Sequence, residues 1–296
     1  MHLFTDWEGP WVLNDIAYEL SVHALGNKKF YERLSQYDDH LACKQRREDY
    51  QAGYTLKLLA PFLVASGITS KDIESYSISN VTFVKDAKPA MDMIKEKMEV
   101  AVVSTSYSSF LKKTAEMLGL RNNLHGTEFC PERYRIEKRW KEWLLRKVGE
   151  IAKLKPISLE EPDKDAIEYL ERLFWKELRS TPFWEIMEDV EVVGSRKKRE
   201  IVESYGEESV VCIGDSISDV DMLDYARETG GLALSFNGNR FALEHSNLAV
   251  ISESALVEAV IVIEYKERGW RGVRSICKEG HPLLSGINFE IYFDID

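Results

Sequence analysis

Four short apolar runs in this chain each lead directly into residues that can carry charge or make hydrogen bonds. Residues 3–5 run into Asp6-Trp7-Glu8-Gly9, and residues 100–104 end in Ser104-Thr105-Ser106. Residues 190–193 run into Gly194-Ser195-Arg196-Lys197-Lys198, and residues 209–213 into Gly214-Asp215-Ser216 with Asp219 beyond. Ligands of open parallel sheets bind at the carboxyl ends of the strands, so these sets can converge on one point. The convergent set is several carboxylates, a hydroxyl and a cation, which suits phosphoryl transfer. A carboxylate such as Asp6 can attack phosphorus and form an aspartyl-phosphate. Glu8, two residues on, points to the same side of an extended chain and can move a proton. A hydroxyl and a lysine can hold the phosphoryl oxygens where charge builds up. Additional carboxylates suit Mg²⁺, a hard cation that also masks repulsion between Asp6 and an incoming phosphate.

The elements needed to position this set are legible as a pattern. Residues 3–5, 100–104, 190–193, 209–213, 232–236 and 248–251 are short, continuous apolar runs of the kind that form strands buried on both faces. Helical spacing lies between them, at residues 88–98, 108–118 and 195–205. The alternation predicts an α/β fold with a doubly wound parallel sheet. Two stretches break the rhythm. Residues 12–84 read as helices at 15–25, 28–46 and 50–66, followed by one capped by Thr69 with Asp72 three residues on. In residues 131–189, Ile136, Trp140, Trp143, Leu144, Val148 and Ile151 share one helical face. Asp163 can cap a second helix there, and Thr181-Pro182 resembles the start of a third. Both stretches are expected to be helical inserts on the sheet core.

Taken together, these motifs resemble the haloacid-dehalogenase-like (HAD) phosphohydrolase superfamily. The carrying residues are Phe4-Thr5-Asp6-Trp7-Glu8-Gly9, Val102-Val103-Ser104, Lys197, and the run from Gly214 to Leu223, which reads GDSISDVDML, followed by Ala233-Leu234-Ser235-Phe236-Asn237-Gly238. The resemblance implies a Rossmannoid core from residues 1–11, 85–130 and 190–296, a helical cap from 12–84, and a further helical insert at 131–189. It implies that Asp6 is the nucleophile and that Glu8 is the acid and base. Ser104, Thr105 and Lys197 would hold the phosphoryl group, with Lys198 the second choice for the cation. Asp6, Glu8 through its backbone carbonyl, Asp215 and Asp219 would gather around Mg²⁺. Glu8 stands where most members have Asp, and one methylene moves the carboxyl by about 1.5 Å. An Asp-x-Glu-Gly motif also occurs in the subgroup similar to phosphoserine phosphatase. The run from Asn14 to Glu19 resembles archaeal relatives labelled as a subunit of an energy-converting hydrogenase.

Composition narrows the partners. A net charge of -11 repels nucleic-acid backbones and anionic lipid, so neither is expected as a main partner. No apolar run approaches the roughly 18 residues of a membrane span, and no leader pattern opens the chain. The four cysteines form no CxxC pair, which suits a reduced, cytoplasmic protein without structural zinc. The expected activity is Mg²⁺-dependent hydrolysis of a small phosphorylated metabolite. The alternatives are phosphotransfer to a small alcohol, or a non-catalytic subunit of a larger complex; a homodimer is also compatible. Substrate contacts are expected from the cap, with Tyr18, Glu19, Arg46 and Arg47 as candidates.

Overall fold

The computed structural model describes residues 1–45, 47 and 50–293. Its sheet has seven strands in the order β3-β2-β1-β4-β5-β6-β7. They are β1 (His2–Thr5), β2 (Glu99–Tyr107), β3 (Leu124–Thr127), β4 (Val211–Gly214), β5 (Leu232–Phe236), β6 (Leu248–Ser252) and β7 (Phe289–Phe293). The first six pair in parallel, and β7 closes the edge antiparallel to β6. The fold is α/β, a Rossmannoid core with a helical cap.

Period-two alternation explains why the sheet is covered on both faces. Leu3, Val102, Val211, Ile213, Leu232 and Leu234 join one apolar cluster. Phe4, Ala101, Val103, Cys212 and Ala233 point the other way into a second. The second cluster is roofed by α10 (Ser195–Ser204), α11 (Val220–Glu228) and α12 (Arg240–His245), through Val202, Met222, Leu223 and Ala242. The first is much larger. It takes in α5 (Ala87–Lys95), α6 (Ser108–Met117), α13 (Leu256–Arg268), α14 (Trp270–Glu279) and the helices of both inserts.

The earlier stretch folds as α1 (Ile16–Leu25), α2 (Lys28–His40), a π-helical turn at Leu41–Gln45, α3 (Thr55–Ser66) and α4 (Ser70–Asn80). Asp15 caps α1, and Thr69 and Asp72 form the expected capping box on α4. The later stretch forms α7 (Lys138–Ile151), α8 (Lys164–Arg172) with Asp163 as its cap, and α9 (Trp184–Asp189). The α9 helix begins after Pro182, because a hydrogen-bonded turn occupies residues 181–184 first. Helix α3 is buried except at Lys57 and its last residue, and is packed by α1, α2, α7 and α9. The two inserts therefore make one helical layer around α3.

The sheet departs from expectation in three places. Residues 190–193 are not a strand: Val193 is tied to neighbouring strands by side chains, donating to Thr127 Oγ1 at 3.1 Å and accepting from Thr105 Oγ1 at 3.0 Å. Strand β3 went unread because His125 and Gly126 interrupt its apolar pattern. Strand β7 is half exposed and antiparallel, so the sheet is mixed at that edge. No helix among the described residues is long and apolar enough to cross a membrane.

Glu258 on α13 is fully buried, and neither carboxylate oxygen has a hydrogen-bond partner. Burial pushes its pKa well above the usual value. Its contribution to stability is complete below the unfolded-state pKa and is lost as pH rises through the raised folded pKa. Glu258→Met is therefore expected to stabilise the protein by about 2 kcal/mol at pH 7.5. The gain should shrink as the pH is lowered toward 4.5, as read by urea unfolding across that range.

Candidate active site

The cleft lies where the strand order reverses, between β1 and β4. Asp6 continues β1 by one residue, and its N–H donates to Ile213 O at 2.9 Å. One carboxylate oxygen, Oδ1, accepts from Trp7 N at 2.7 Å. The other, Oδ2, is 2.8 Å from Lys198 Nζ. The same ammonium is 2.6 Å from Asp219 Oδ1. Lys198 and Asp219 are fully buried and Asp6 nearly so. Burial raises the Asp6 pKa to about 6, even against the attraction of Lys198. Burial also works against the Lys198 charge, but Asp219 and Asp6 outweigh it and hold the ammonium above its usual value. At neutral pH Asp6 is thus an anion facing a cation.

The cation at Asp6 is Lys198, and the expectation of Lys197 is corrected. Lys197 Nζ lies 3.2 Å from Glu200 Oε2 on the exposed side of α10. Ser195, Lys198 and Val202 form the buried face of that helix, whereas Ile201, the guide to Lys197, is only partly buried. The face is rotated by one residue from the one expected.

Asp215 follows β4. Among the described residues, no donor or cation reaches its side chain. Burial, then the charges of Asp219 and Asp6, push its pKa well above the usual value. Asp6, Asp215 and Asp219 each offer an oxygen within 4.8 Å of the others, a cluster compatible with a divalent metal. The roles within the cluster differ. Asp219 is already committed: Oδ1 to Lys198, and Oδ2 to the N–H groups of Asp215 and Ser216, both at 2.9 Å. Asp6 Oδ1 meets only the Trp7 N–H, and Asp215 has no hydrogen-bonding or ion-pair partner on its side chain among the described residues, so these two could turn an oxygen to a metal. That donor set fits Mg²⁺.

Gly9 makes the close approach possible. Its φ is +93°, and a Cβ there would lie 2.4 Å from the Asp215 carboxylate. The residues around it are locked in place: Trp11 Nε1 donates to Thr5 Oγ1 and Trp7 Nε1 to Thr114 Oγ1, both at 2.8 Å. Glu8 Oε1 accepts from Ile16 N, the first residue of α1, at 2.6 Å. Burial, followed by the charge of Asp15, drives the Glu8 pKa well up, which favours the protonated acid. The Glu8 side chain is no part of the three-aspartate cluster.

The cleft has a volume of about 420 Å³. Thr105 lines it, whereas Ser104 is buried beneath, with its hydroxyl donating to Ser106 Oγ at 3.1 Å. From the cap come Asn14, Asp15, Tyr31, Gly53 and Thr55. Tyr31 OH donates to Asp15 Oδ2 at 2.9 Å. Tyr18 and Glu19 do not line the cleft; Glu19 instead accepts from Asn14 Nδ2 at 2.8 Å. Arg47 lines a different cavity, and Arg46 lies outside the described residues. Sequence reasoning thus missed Asp15 and Tyr31. The signal for Asp15 was its place as the cap of the first helix after β1, since that end of α1 meets the carboxyl edge of the sheet.

No family model and no curated protein matches the chain. Among solved structures, the gene product AF1437 from Archaeoglobus fulgidus superimposes with a TM-score of 0.89 at 39% identity, over 99% of this chain and 90% of that one. The chain belongs to one family with that archaeal protein. A phosphoserine phosphatase solved as a phospho-aspartyl intermediate analogue has a TM-score of 0.51 at 15% identity, covering 88% of this chain and 97% of its own. A HAD family hydrolase from Salmonella enterica has a TM-score of 0.50 at 10% identity, covering 83% and 65%. Those two likenesses show that the fold is HAD-like. The aspartate cluster lies at the carboxyl edge of the sheet of that fold.

Removing Lys198 leaves two buried carboxylates facing each other in the HAD core. Lys198→Met is expected to lower the unfolding free energy by about 3–5 kcal/mol at pH 7.5. Lys197→Met should stay within about 0.5 kcal/mol of the parent. Chemical denaturation of the two variants side by side checks both.

Proposed function

We propose that this protein is a metal-dependent phosphatase of the HAD type, acting on a small phosphomonoester through Asp6. The observation that carries this reading is the Asp6 carboxylate, fixed between Trp7 N–H and the Lys198 ammonium at the mouth of a cleft that also holds Glu8. A scaffold has no physical need for clustered acids held this way, which favours catalysis over a non-catalytic subunit.

In this reading an Asp6 oxygen attacks phosphorus, and the bond to the leaving alkoxide breaks. Glu8, kept protonated by burial, gives its proton to that oxygen. The leaving alcohol then departs, and Glu8, now a base, takes a proton from water as the water attacks the phosphoryl group. The P–O bond to Asp6 breaks, inorganic phosphate leaves, and Asp6 and protonated Glu8 are restored. Lys198 holds the Asp6 carboxylate in place, and Asp219 holds Lys198. Thr105 lines the cleft with its hydroxyl donating to Val193 O at 3.0 Å, and it would have to leave that acceptor to meet a phosphoryl oxygen. Bound between Asp6 and Asp215, Mg²⁺ would offset the negative charge that the acids and the phosphate bring together. The cap residues Gly53 and Thr55 line the cleft.

The cleft wall also supports a class of leaving group. Asp6, Glu8, Asp15 and Asp215 line it, and among the described residues no lysine or arginine does. Asp6 has Lys198 and Asp215 has the expected ion, but Asp15 has only neutral donors, Tyr18 N at 2.9 Å and Tyr31 OH. An ammonium on the substrate would complete it, as on phosphoserine, whose phosphatases share the fold.

Phosphate release from p-nitrophenyl phosphate is expected to require Mg²⁺, and Asp6→Asn should reduce it by at least about 10³-fold. Persistence of full turnover in Asp6→Asn rules the mechanism out. Among alkyl phosphates, amine-bearing substrates should be preferred. Asp15→Asn should raise KM for phosphoserine by about tenfold or more while leaving KM for p-nitrophenyl phosphate little changed. Steady-state kinetics on both substrates separates the two roles.

A further inference from the structure

A second cavity, of about 540 Å³, lies where the cap meets the later insert, on the far side of residues 50–55 from the catalytic cleft. Tyr50 and Tyr54 wall it on the cap side, and Trp175 and Trp184 on the insert side. Their rings form a preset box. Tyr50 meets Tyr54 edge-on with centroids 4.9 Å apart, and Trp175 meets Trp184 edge-on at 6.3 Å. Both indoles are pinned by their N–H groups, Trp175 to Tyr37 OH at 3.0 Å and Trp184 to Glu188 Oε1 at 2.7 Å.

Cations surround this box. Arg47 lies 3.9 Å from the Trp175 ring and pairs with Glu171. Arg179 lies 5.2 Å from the Trp184 ring, and Lys57 lies 5.4 Å from the Tyr54 ring. Among the described residues, no carboxylate comes within ion-pair distance of Lys57 or Arg179. Burial lowers the Lys57 pKa, so its charge is held against a desolvation penalty. Of the three cations around the cavity, Arg47 is paired with Glu171, Lys57 feels the charges of Glu191 and Glu188 at longer range, and Arg179 has no carboxylate at ion-pair distance among the described residues. The box is no trap for a cationic ligand, because guanidinium groups already sit at its tryptophans. Lys57 and Arg179 would be satisfied by one anion, and a flat ring could pack against the guanidinium planes and aromatic edges that line the box.

We propose that this cavity is a binding site for an anion carrying a planar ring, of the size of a nucleoside phosphate. The ring would lie among Tyr54, Trp175 and Trp184, with the phosphate between Lys57 and Arg179. The volume is within the range of sites that enclose such ligands. Tyr50 and Tyr54 share the segment 50–55 with Gly53 and Thr55, which line the catalytic cleft, so an occupant rests on residues adjoining that cleft. The proposal stands on this cavity alone and does not depend on the phosphatase reading.

The test is calorimetric titration of the full chain with ADP in the presence of EDTA. Without a divalent ion the catalytic cleft presents uncompensated carboxylates and repels the ligand, so binding reports the second cavity. Saturable binding is expected, weakened at least tenfold by Lys57→Met and by Arg179→Met. Adenosine and inorganic phosphate should each bind at least tenfold more weakly than ADP. Arg179 is exposed, so its variant carries the test if Lys57→Met fails to fold, as judged by thermal unfolding. Lack of saturation at millimolar ADP, or equal affinity in the variants, overturns the proposal. So does phosphate or adenosine alone matching ADP.

Discussion

The fully buried ammonium of Lys198 is the constraint around which the site is arranged. Three elements meet at it: the end of β1 through Asp6, the first turns of α10, and the loop after β4 through Asp219. Taking such charges out of water is expensive, and an ion pair recovers the loss only when geometry is good and the remaining oxygens are satisfied. Here they are. Asp219 spends its second oxygen on the two backbone N–H groups that set Asp215, and Asp6 spends its second on Trp7 N. One lysine thereby fixes the position of three acids. Charge arithmetic then leaves an excess of negative charge at Asp215, and a divalent cation is the simplest partner that removes it.

The cap is built by the same economy of burial. Helix α3 is apolar around nearly its whole circumference, Lys57 excepted, which is unsustainable for a helix lying on a surface. It is covered because the two sequence-distant inserts supply helices to opposite flanks of it, α1 and α2 from one and α7 and α9 from the other. The later insert is thus part of the layer that stands over the cleft. Its contribution to the cleft is indirect, through the loop preceding α3, whose Gly53 (φ +95°) packs against Thr105 and Ser218.

Particular residues show where the sequence was legible. Alternate residues of β1, β4 and β5 feed two different apolar clusters, so nearly continuous apolar runs signalled a doubly covered sheet. The caps at Thr69 and Asp163 were readable because a side-chain oxygen three residues before a backbone N–H is a local relation. The choice between Lys197 and Lys198 was not local. It turns on which face of α10 meets α11, and in a helix a one-residue error rotates that face by about 100°. Likewise, residues 190–193 have a strand's composition yet no strand neighbour to pair with. Their place is set by the hydroxyls of Thr105 and Thr127, which no periodicity reveals. The cap residues at the cleft were illegible for the same reason: Tyr31 reaches Asp15 across two helices.

The glutamate at position 8 looks at first like a weakened aspartate, one methylene too long for its proton-transfer role. The structure gives that length a use. The Glu8 carboxylate reaches the N–H of Ile16, one of the unpaired donors at the N-terminus of α1, where the helix dipole also favours negative charge. An aspartate on the same backbone would fall short by about 1.5 Å, more than a hydrogen bond tolerates. The acid of the core is therefore tied to the first helix of the cap. Its orientation then depends on where that helix sits, and the helix's own cap, Asp15, lines the leaving-group side of the cleft. A substrate that engages Asp15 thus acts on the same helix end that aims Glu8. In the proposed mechanism leaving-group recognition and proton delivery would share one backbone turn, an arrangement that a shorter acid at position 8 cannot make.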